Sequence, residues 1–347
     1  MSAFTPRVAT LLAGLLRGDR ASLARSITLV ESSHPAHRVE AGALLGALSL
    51  ERAKSASALR APVDADDANA PRVRVGIAGP PGAGKSTLVE ALGLHVLATH
   101  AHARVAVLAV DPSSTRSGGS LLGDAARMPE LSRSARAFVR PSPTRGALGG
   151  LAPATGDALA LAEGAGFGVV LVETVGVGQS EVAIAGAVDA TVLVLAPAAG
   201  DELQGAKKGI VEFADIIVVN KADGALVDAA RHAAANYARA LSLSRPRHAR
   251  WAPPVLTASA STGDGVARLW DTLLSFVRTC GAGELADTRR AQALDAAWRG
   301  AEETVTRALR TDAKARAAVD ALAAALGLGN CAPRVAADAI AAAFLRK

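Results

Sequence analysis

The chain has 347 residues, half of them apolar and only 3% aromatic, so its core must be built mainly from Ala, Val, Leu and Ile. The formal net charge of +6 comes from scattered arginines without a basic block or interleaved aromatics, which argues against a nucleic-acid partner. Cys280 and Cys331 are the two cysteines, and neither lies in a C-x-x-C or Cys/His motif, so neither a disulfide framework nor a zinc site is indicated.

Two apolar segments could be mistaken for targeting or membrane segments. Val8 to Leu16 is short and has no small-residue cleavage site, so we interpret it as one face of a helix. Ala183 to Ala199 is interrupted by Asp189 and Pro197, which excludes a membrane span there. We therefore expect a cytoplasmic protein with no membrane partner.

The pattern of apolar residues predicts four segments in chain order. Helical spacing dominates residues 1–60, and an acidic, proline-bounded linker occupies 61–71. Strand-like and helical patterns alternate through 72–280, and 281–347 is helical again. We expect an α/β fold, a mostly parallel sheet covered by helices on both faces, with helical extensions at both termini. The strand candidates are Val73–Ala78, Val105–Val110, Ala137–Arg140, Val169–Glu173, Thr191–Ala196, Ile216–Asn220 and Pro254–Ala258.

The first strand candidate leads into a phosphate-binding pattern. Residues 79–87 match G-x-x-x-x-G-K-[ST], with a strand-like run before them and an apolar helical pattern after them. The glycines let successive backbone N–H groups converge on phosphate oxygens. Lys85 would reach the β- and γ-phosphates, and the Ser86 hydroxyl would hold Mg²⁺. The predicted contacts to a nucleoside triphosphate are Gly79, Pro80, Pro81, Gly82, Ala83, Gly84, Lys85, Ser86 and Thr87.

A second motif indicates which base is bound. The sixth strand candidate ends in N-K-x-D at residues 220–223, at the strand end where nucleotide sites form in open α/β sheets. The Asp223 carboxylate can accept both N1–H and N2–H of guanine, a pair of donors that adenine lacks. Lys221 would lie over the purine, and Asn220 would tie this loop to the phosphate loop. The companion loop that meets the guanine carbonyl is Ser259, Ala260 and Ser261, so the expected ligands are GTP and GDP.

Asp111 follows the second strand candidate at the end nearest the phosphates. A position in the Mg²⁺ shell is favoured for it, with a helix N-cap before Ser113 as the alternative. The glycine-rich, aperiodic loop from Thr115 to Asp124 is typical of a switch segment that orders around Mg²⁺ and the γ-phosphate.

The fourth strand candidate ends at Glu173, where most GTPases have the Asp of a D-x-x-G element. The longer carboxylate would reach the Mg²⁺ water shell, and the Gly176 N–H would sense the γ-phosphate. Val177 occupies the place of the water-orienting Gln of many small GTPases, so we predict slow intrinsic hydrolysis. Gln179 is a candidate substitute.

Further motifs carry a family resemblance that covers most of the chain to about Cys280. The motifs are Val110–Ser114, Ser117–Asp124, Arg140–Gly146, Glu173–Glu181, Gly200–Gly205, Ile27–Ser32 and Leu269–Asp271. Together with the phosphate motif they resemble the MeaB/ArgK family, the G-protein chaperones of adenosylcobalamin-dependent methylmalonyl-CoA mutase.

The resemblance implies a SIMIBI-class GTPase that forms a homodimer through its terminal helices. It would couple GTP binding and hydrolysis to adenosylcobalamin loading onto the mutase and to expulsion of damaged cofactor. It identifies Ser86, Asp111, Asp124 and Glu173 with the Mg²⁺ and catalytic carboxylate positions. Lys207 is similar to a switch III lysine that becomes catalytic once the partner reshapes the site. By themselves, Lys207 and its neighbour fit a solvated helix face equally well. The catalytic candidates are Lys85, Asp111, Asp124, Glu173 and Lys207.

Several alternatives remain at this point. A nickel-type metallochaperone GTPase would need a Cys/His motif near the phosphate loop or the linker, and we interpret the nearby His95, His100 and His102 as surface residues. A kinase or ATPase of a basic amino-acid transport system would need adenine specificity, which the N-K-x-D motif contradicts. Methylmalonyl-CoA mutase is the default client, with isobutyryl- and 2-hydroxyisobutyryl-CoA mutases as alternatives.

One apolar stripe in the C-terminal segment also has two interpretations. Leu294, Trp298, Val305 and Leu309 recur at helical spacing. They could pack within the chain or form a dimer face.

Overall fold

The computed structural model describes residues 5–54, 71–111, 128–143, 153–174, 183–197, 213–242 and 247–345. The chain divides into two compact units, Met1–Gln292 and Ala293–Lys347. The larger unit contains the β-sheet, and the described residues of the smaller unit form helices joined by short turns. No helix in these described ranges is both long and apolar enough to cross a membrane.

Three helices precede the sheet within residues 5–54, as the helical spacing predicts. They are α1 (Pro6–Leu16), α2 (Arg20–Val30) and α3 (Pro35–Lys54). The Asp19 carboxylate caps α2 by accepting hydrogen bonds from the N–H groups of Ala21 and Ser22 at 3.2 and 2.9 Å. The apolar faces of all three helices are buried in one core, against one face of the sheet.

In the described ranges, seven strands form one parallel sheet, which confirms the predicted α/β fold. The strand order is β3-β2-β4-β1-β5-β6-β7, and every neighbouring pair within the described residues is parallel. All seven strand candidates are found, with ends shifted by a few residues at most. The strands are β1 (Val73–Ala78), β2 (Val105–Asp111), β3 (Ala137–Pro143), β4 (Val169–Thr174), β5 (Ala190–Leu195), β6 (Ile216–Val219) and β7 (Val255–Thr257).

Five other helices of the described ranges pack on the sheet and cover both of its faces. They are α4 (Lys85–Thr99), α5 (Pro129–Arg133), α6 (Pro153–Gly164), α7 (Val227–Leu241) and α8 (Val266–Thr311). Alternate residues of β2 enter different cores: Val105 and Val107 pack with α4, α5 and the first part of α8, whereas Ala106 and Leu108 pack with α1, α2, α3, α6 and α7. Burial on both faces explains why β2 is apolar from Val105 to Ala109 in the sequence.

The sheet order places a crevice at the carboxyl end of β1. The chain leaves β1 for the β2 side of the sheet and later crosses to β5, β6 and β7 on the other side. Such a reversal opens a gap between the flanking loops, which is where open α/β sheets bind their ligands. The loops that carry both nucleotide motifs begin at this edge.

Helix α8 is interrupted at Gly281, whose φ of 77° and ψ of 155° are not helical. A left-handed φ of this kind is tolerated best by glycine. Beyond α8, the smaller unit contains α9 (Ala313–Gly327) and α10 (Pro333–Leu345), which pack against each other. Leu294, Trp298 and Val305 of the predicted stripe are all more than half exposed.

Candidate nucleotide-binding site

The phosphate loop joins β1 directly to α4. Gly79, Gly82 and Gly84 have φ values of 141°, 78° and 85°, so the loop uses backbone conformations that side chains would strain. Gly79 also lies so close to β5 that an added Cβ would overlap the Val194 carbonyl. This tight path turns the chain from the strand into the helix, whose N-terminal N–H groups then face the crevice. A helix N-terminus that follows a glycine loop is a favourable position for phosphate.

Lys85, the first residue of α4, is almost fully buried in the loop. Its Nζ donates hydrogen bonds to the carbonyl oxygens of Gly79 and Pro80, at 2.8 and 3.0 Å. The ammonium group is thus held over the loop, where a phosphate oxygen could replace a carbonyl as its partner. The arrangement can supply a fixed positive charge next to the β- and γ-phosphates.

Ser86 and Glu173 meet beside the phosphate loop. The Ser86 hydroxyl donates a 2.6 Å hydrogen bond to Oε1 of Glu173, whose side chain is buried near the end of β4. A hydroxyl and a carboxylate oxygen are the donor set that Mg²⁺ takes beside nucleotide phosphates. Asp111 is the last residue of β2, which pairs with β4 on the side away from β1. Only the backbone of Asp111 falls within the described structure.

Asn220 connects the two nucleotide loops. Its side chain is 1% exposed, and Nδ2 donates to the carbonyl oxygens of Ala83 and Gly84 at 3.0 and 3.3 Å. Its Oδ1 accepts from the Ala260 N–H at 3.1 Å. One buried amide therefore holds the phosphate loop, the end of β6 and the companion loop in a single arrangement.

The base loop has an unusual backbone next to Asn220. Lys221, with φ at 59°, is the one non-glycine residue with positive φ in the described ranges. Strained residues of this kind persist where surrounding contacts hold them, often at ligand sites. The Ala222 N–H donates to the Ala258 carbonyl at 3.0 Å, which fixes the turn to the end of β7. The exposed Lys221 side chain is then free to cover a purine.

Asp223 is oriented by the companion loop. Its Oδ1 accepts a 2.9 Å hydrogen bond from the hydroxyl of Ser259, which is fully buried and also lies 3.0 Å from the Ser261 hydroxyl. The carboxylate is thereby held in place while retaining lone pairs for the two donors of guanine. The structure brings Asn220, Asp223 and the 259–261 loop to one edge of the crevice.

Comparison with known proteins shows the family of the chain. Residues 23–314 match the family described as "Methylmalonyl Co-A mutase-associated GTPase MeaB". The chain belongs to the MeaB family. Over 336 residues it is 45% identical to "Methylmalonic aciduria type A homolog, mitochondrial" of Mus musculus, covering 96% of this chain and 79% of that protein. It is 48% identical over 324 residues to a Mycobacterium bovis protein named as a "Probable GTPase", covering 93% and 91% of the two chains.

A solved structure agrees with the family. The crystal structure of a protein named "LAO/AO transport system kinase" superposes with a TM-score of 0.70 and 32% identity, covering 100% of both chains. Family, relatives and fold together identify the chain as a MeaB-type P-loop GTPase that binds guanine nucleotides and hydrolyses GTP. The family resemblance drawn from the sequence motifs is confirmed.

Several predicted residues of this GTPase lie outside the described structure. Asp124, Gly176 and Lys207 belong to this group, as does Gln179. The roles of Gly176 and Gln179 remain predictions from the sequence motif, and those of Asp124 and Lys207 remain predictions from the family resemblance. The described part of the site therefore comprises the phosphate loop, Glu173 and the two base loops.

A buried charge cluster lies at the amino-terminal edge of the sheet, away from these loops. Arg289 of α8 donates to both carboxylate oxygens of Asp189 at 2.6 Å and to Glu163 at 2.9 Å, and Arg74 binds Glu163 with two 2.8 Å hydrogen bonds. Burial alone would raise the pKa of Glu163, but Arg74 and Arg289 outweigh it and lower that pKa to about 2. The cluster ties α8, just beyond Gly281, to α6 and to the loop before β5.

The interpretation of His100 as a surface residue is wrong. His100 is 9% exposed, and its Nε2 accepts a 2.8 Å hydrogen bond from the indole N–H of Trp270 in α8. The two rings also make an edge contact at 5.7 Å. His100 follows α4 directly, and its distance of 170 residues from Trp270 in sequence left no local signal for this pairing.

Proposed function

We propose that this MeaB-family GTPase couples GTP binding and hydrolysis to loading, protection and reactivation of adenosylcobalamin on an acyl-CoA mutase. The family match over residues 23–314 carries the proposal, because the family description names a methylmalonyl-CoA mutase-associated GTPase. The murine relative, named for methylmalonic aciduria, supports the same client. Methylmalonyl-CoA mutase is therefore the first client to test.

Mg²⁺ is the proposed metal cofactor. Ser86 and Glu173, joined by a 2.6 Å hydrogen bond, would hold the ion. Asp111 and Asp124 would be the other residues of the metal site. The bound ion would neutralise charge on the β- and γ-phosphate oxygens. Lys85 would exchange its carbonyl partners for phosphate oxygens and add a second positive charge at the same place.

Hydrolysis would be slow until the client is bound. Water must be oriented in line with the γ-phosphorus, and the described residues near Ser86 and Glu173 include no side chain that we assign to this task. Lys207 would be supplied to the site by a rearrangement in the mutase complex. A charge-stabilising group added to such a site lowers the barrier by about 2.7–4 kcal/mol, or roughly a hundredfold or more in rate.

We also propose that the protein works as a homodimer. The exposed residues Leu294, Trp298 and Val305 support this, because three large apolar side chains at helical spacing rarely stay in water without a partner. A second copy of the chain is the occupant that the family resemblance implies. Sedimentation of Trp298→Glu against wild type tests the dimer directly: a monomeric variant supports it, and a wild type that is itself monomeric overturns it.

The test of function is GTP hydrolysis by the purified protein, alone and with an adenosylcobalamin-dependent acyl-CoA mutase. We expect stimulation of about a hundredfold in the wild type, loss of this stimulation in Lys207→Ala, and its retention in the neighbouring control Lys208→Ala. Basal hydrolysis should be unchanged in both variants. A rate that no such mutase alters would refute the client, and equal stimulation in both variants would refute the role of Lys207.

The alternative functions have less support. The protein of the solved structure is named as a kinase, but its name gives no activity to this chain. A competition experiment separates the possibilities: GTP should displace bound GDP at least a hundredfold better than ATP does, because adenine lacks both donors that Asp223 accepts. Equal competition by ATP would favour the kinase or ATPase.

A further inference from the structure

A second group of ligand-type side chains lies far from the nucleotide loops. His248 precedes β7, and Cys280 and Glu284 stand on either side of the break in α8 at Gly281. The His248 imidazole, the Cys280 sulfur and a Glu284 carboxylate oxygen offer ligand atoms that all lie within 4.8 Å of one another. His248 and Cys280 are 6% and 3% exposed, whereas the Glu284 side chain is 36% exposed and leaves access from solvent.

The three donor atoms suit a transition-metal ion such as Zn²⁺. Sulfur, imidazole nitrogen and a carboxylate oxygen are the ligands of Zn²⁺ in proteins, whereas Mg²⁺ and Ca²⁺ take oxygen ligands. Around a tetrahedral zinc ion, N and O ligands stand about 3.4 Å apart. His248 Nδ1 and Glu284 Oε1 are 2.9 Å apart. These two atoms would need to move apart only slightly to admit the ion. We propose that His248, Cys280 and Glu284 form a zinc site.

Asp215 provides a second, independent observation. It is 1% exposed directly before β6, and its Oδ2 accepts from the Thr191 N–H at 2.8 Å. Its Oδ1 faces His248 Nε2 at 3.4 Å, and both of these buried atoms lack another hydrogen-bond partner in the described structure. Histidines that bind a metal through one ring nitrogen almost always direct the other N–H at a carboxylate. Asp215 is placed to orient His248 in this way, with Nδ1 left for zinc.

The site has a structural consequence for the fold. Cys280 and Glu284 flank Gly281, where the helix backbone leaves α geometry, and His248 belongs to a loop that packs its ring edge-on against Phe276 at 5.2 Å. A zinc ion bound by all three residues would lock the two parts of α8 to this loop and fix the angle of the break. The Cys280 thiol would give up its proton to solvent on coordination. The sequence offered no short motif, since Cys280 stands 32 positions after His248 and Glu284 stands 4 positions after Cys280.

The experiment is a cobalt titration of the full-length protein, purified without a histidine tag and freed of nucleotide and Mg²⁺. Co²⁺ bound to a thiolate gives a charge-transfer absorption that an ion on the nucleotide loops would not give. We expect this absorption to saturate at one Co²⁺ per chain and to disappear when Zn²⁺ is added. The absorption should be lost in Cys280→Ser and kept in Cys331→Ser, the matched control at the other cysteine.

Two further variants keep the test decisive if Cys280→Ser does not fold. His248→Gln and Glu284→Gln each preserve a side chain that can hydrogen-bond while removing a ligand, and each should weaken Co²⁺ binding at least tenfold. The proposal is overturned if the wild type gives no thiolate absorption. It is also overturned if the absorption survives in Cys280→Ser, if it vanishes equally in Cys331→Ser, or if both glutamine variants bind as the wild type does.

Discussion

Asn220 offers the sharpest test of how the nucleotide loops are held together. Asn220→Ala removes its hydrogen bonds to Ala83, Gly84 and Ala260. The Gly84 carbonyl still accepts a 3.0 Å hydrogen bond from the Leu88 N–H in this variant. The hydrogen bonds lost without replacement are therefore mainly those of the Ala83 carbonyl and the Ala260 N–H. Two net hydrogen bonds amount to about 1–3 kcal/mol. At about 1.4 kcal/mol for each tenfold change, nucleotide affinity should fall about 5- to 140-fold.

The assay is calorimetric titration of the variant with GDP and with GTP in the presence of Mg²⁺. Both nucleotides should weaken by the same factor, because Asn220 orders the loops and does not touch the γ-phosphate side of the site. Asn220→Asp should bind more weakly than Asn220→Ala, since a carboxylate would then face two carbonyl oxygens. The exposed Asn236 of α7 supplies the control, and Asn236→Ala should change affinity less than twofold. A folded Asn220→Ala that binds GDP as tightly as the wild type would refute this reasoning.

Three other predictions concern the base and the buried charges. Asp223→Asn replaces an acceptor with a donor, so GTP should weaken about 10- to 100-fold while XTP, whose base carries a second carbonyl, gains affinity in a competition assay. Arg289→Met leaves Asp189 without its cation and should lower unfolding stability by about 3 kcal/mol in urea, whereas the exposed control Arg290→Met should cost less than about 0.5 kcal/mol. The lowered pKa of Glu163 stabilises the fold above pH 4.5, and this contribution should be lost between pH 4.5 and about 2. Glu163→Gln should flatten that acid dependence, and an unchanged profile would contradict the assignment.

The elements that the sequence predicted well are those with continuous local patterns. Strands β4, β5 and β6 are buried along their whole length, so each appears as a mainly apolar run that a single sequence reveals. The phosphate loop and the N-K-x-D loop are short motifs whose residues act together where they stand in the chain. The chemistry of each loop depends on glycines and on side chains that lie only a few residues apart in the sequence. Both loops could therefore be recognised before the fold was known.

What only the tertiary structure decided is which distant residues meet. Ser86 finds Glu173, 87 residues away, because α4 follows β1 and β1 is the neighbour of β4 in the sheet. His248, Cys280 and Glu284 come together only because α8 breaks at Gly281 and the preceding loop folds against it. Strand order and a single left-handed glycine set these distances, and neither leaves a periodic signal in the chain. The sequence by itself therefore determined the fold class and the guanine nucleotide loops, while the packing of distant elements decided the buried ion pairs and the candidate zinc site.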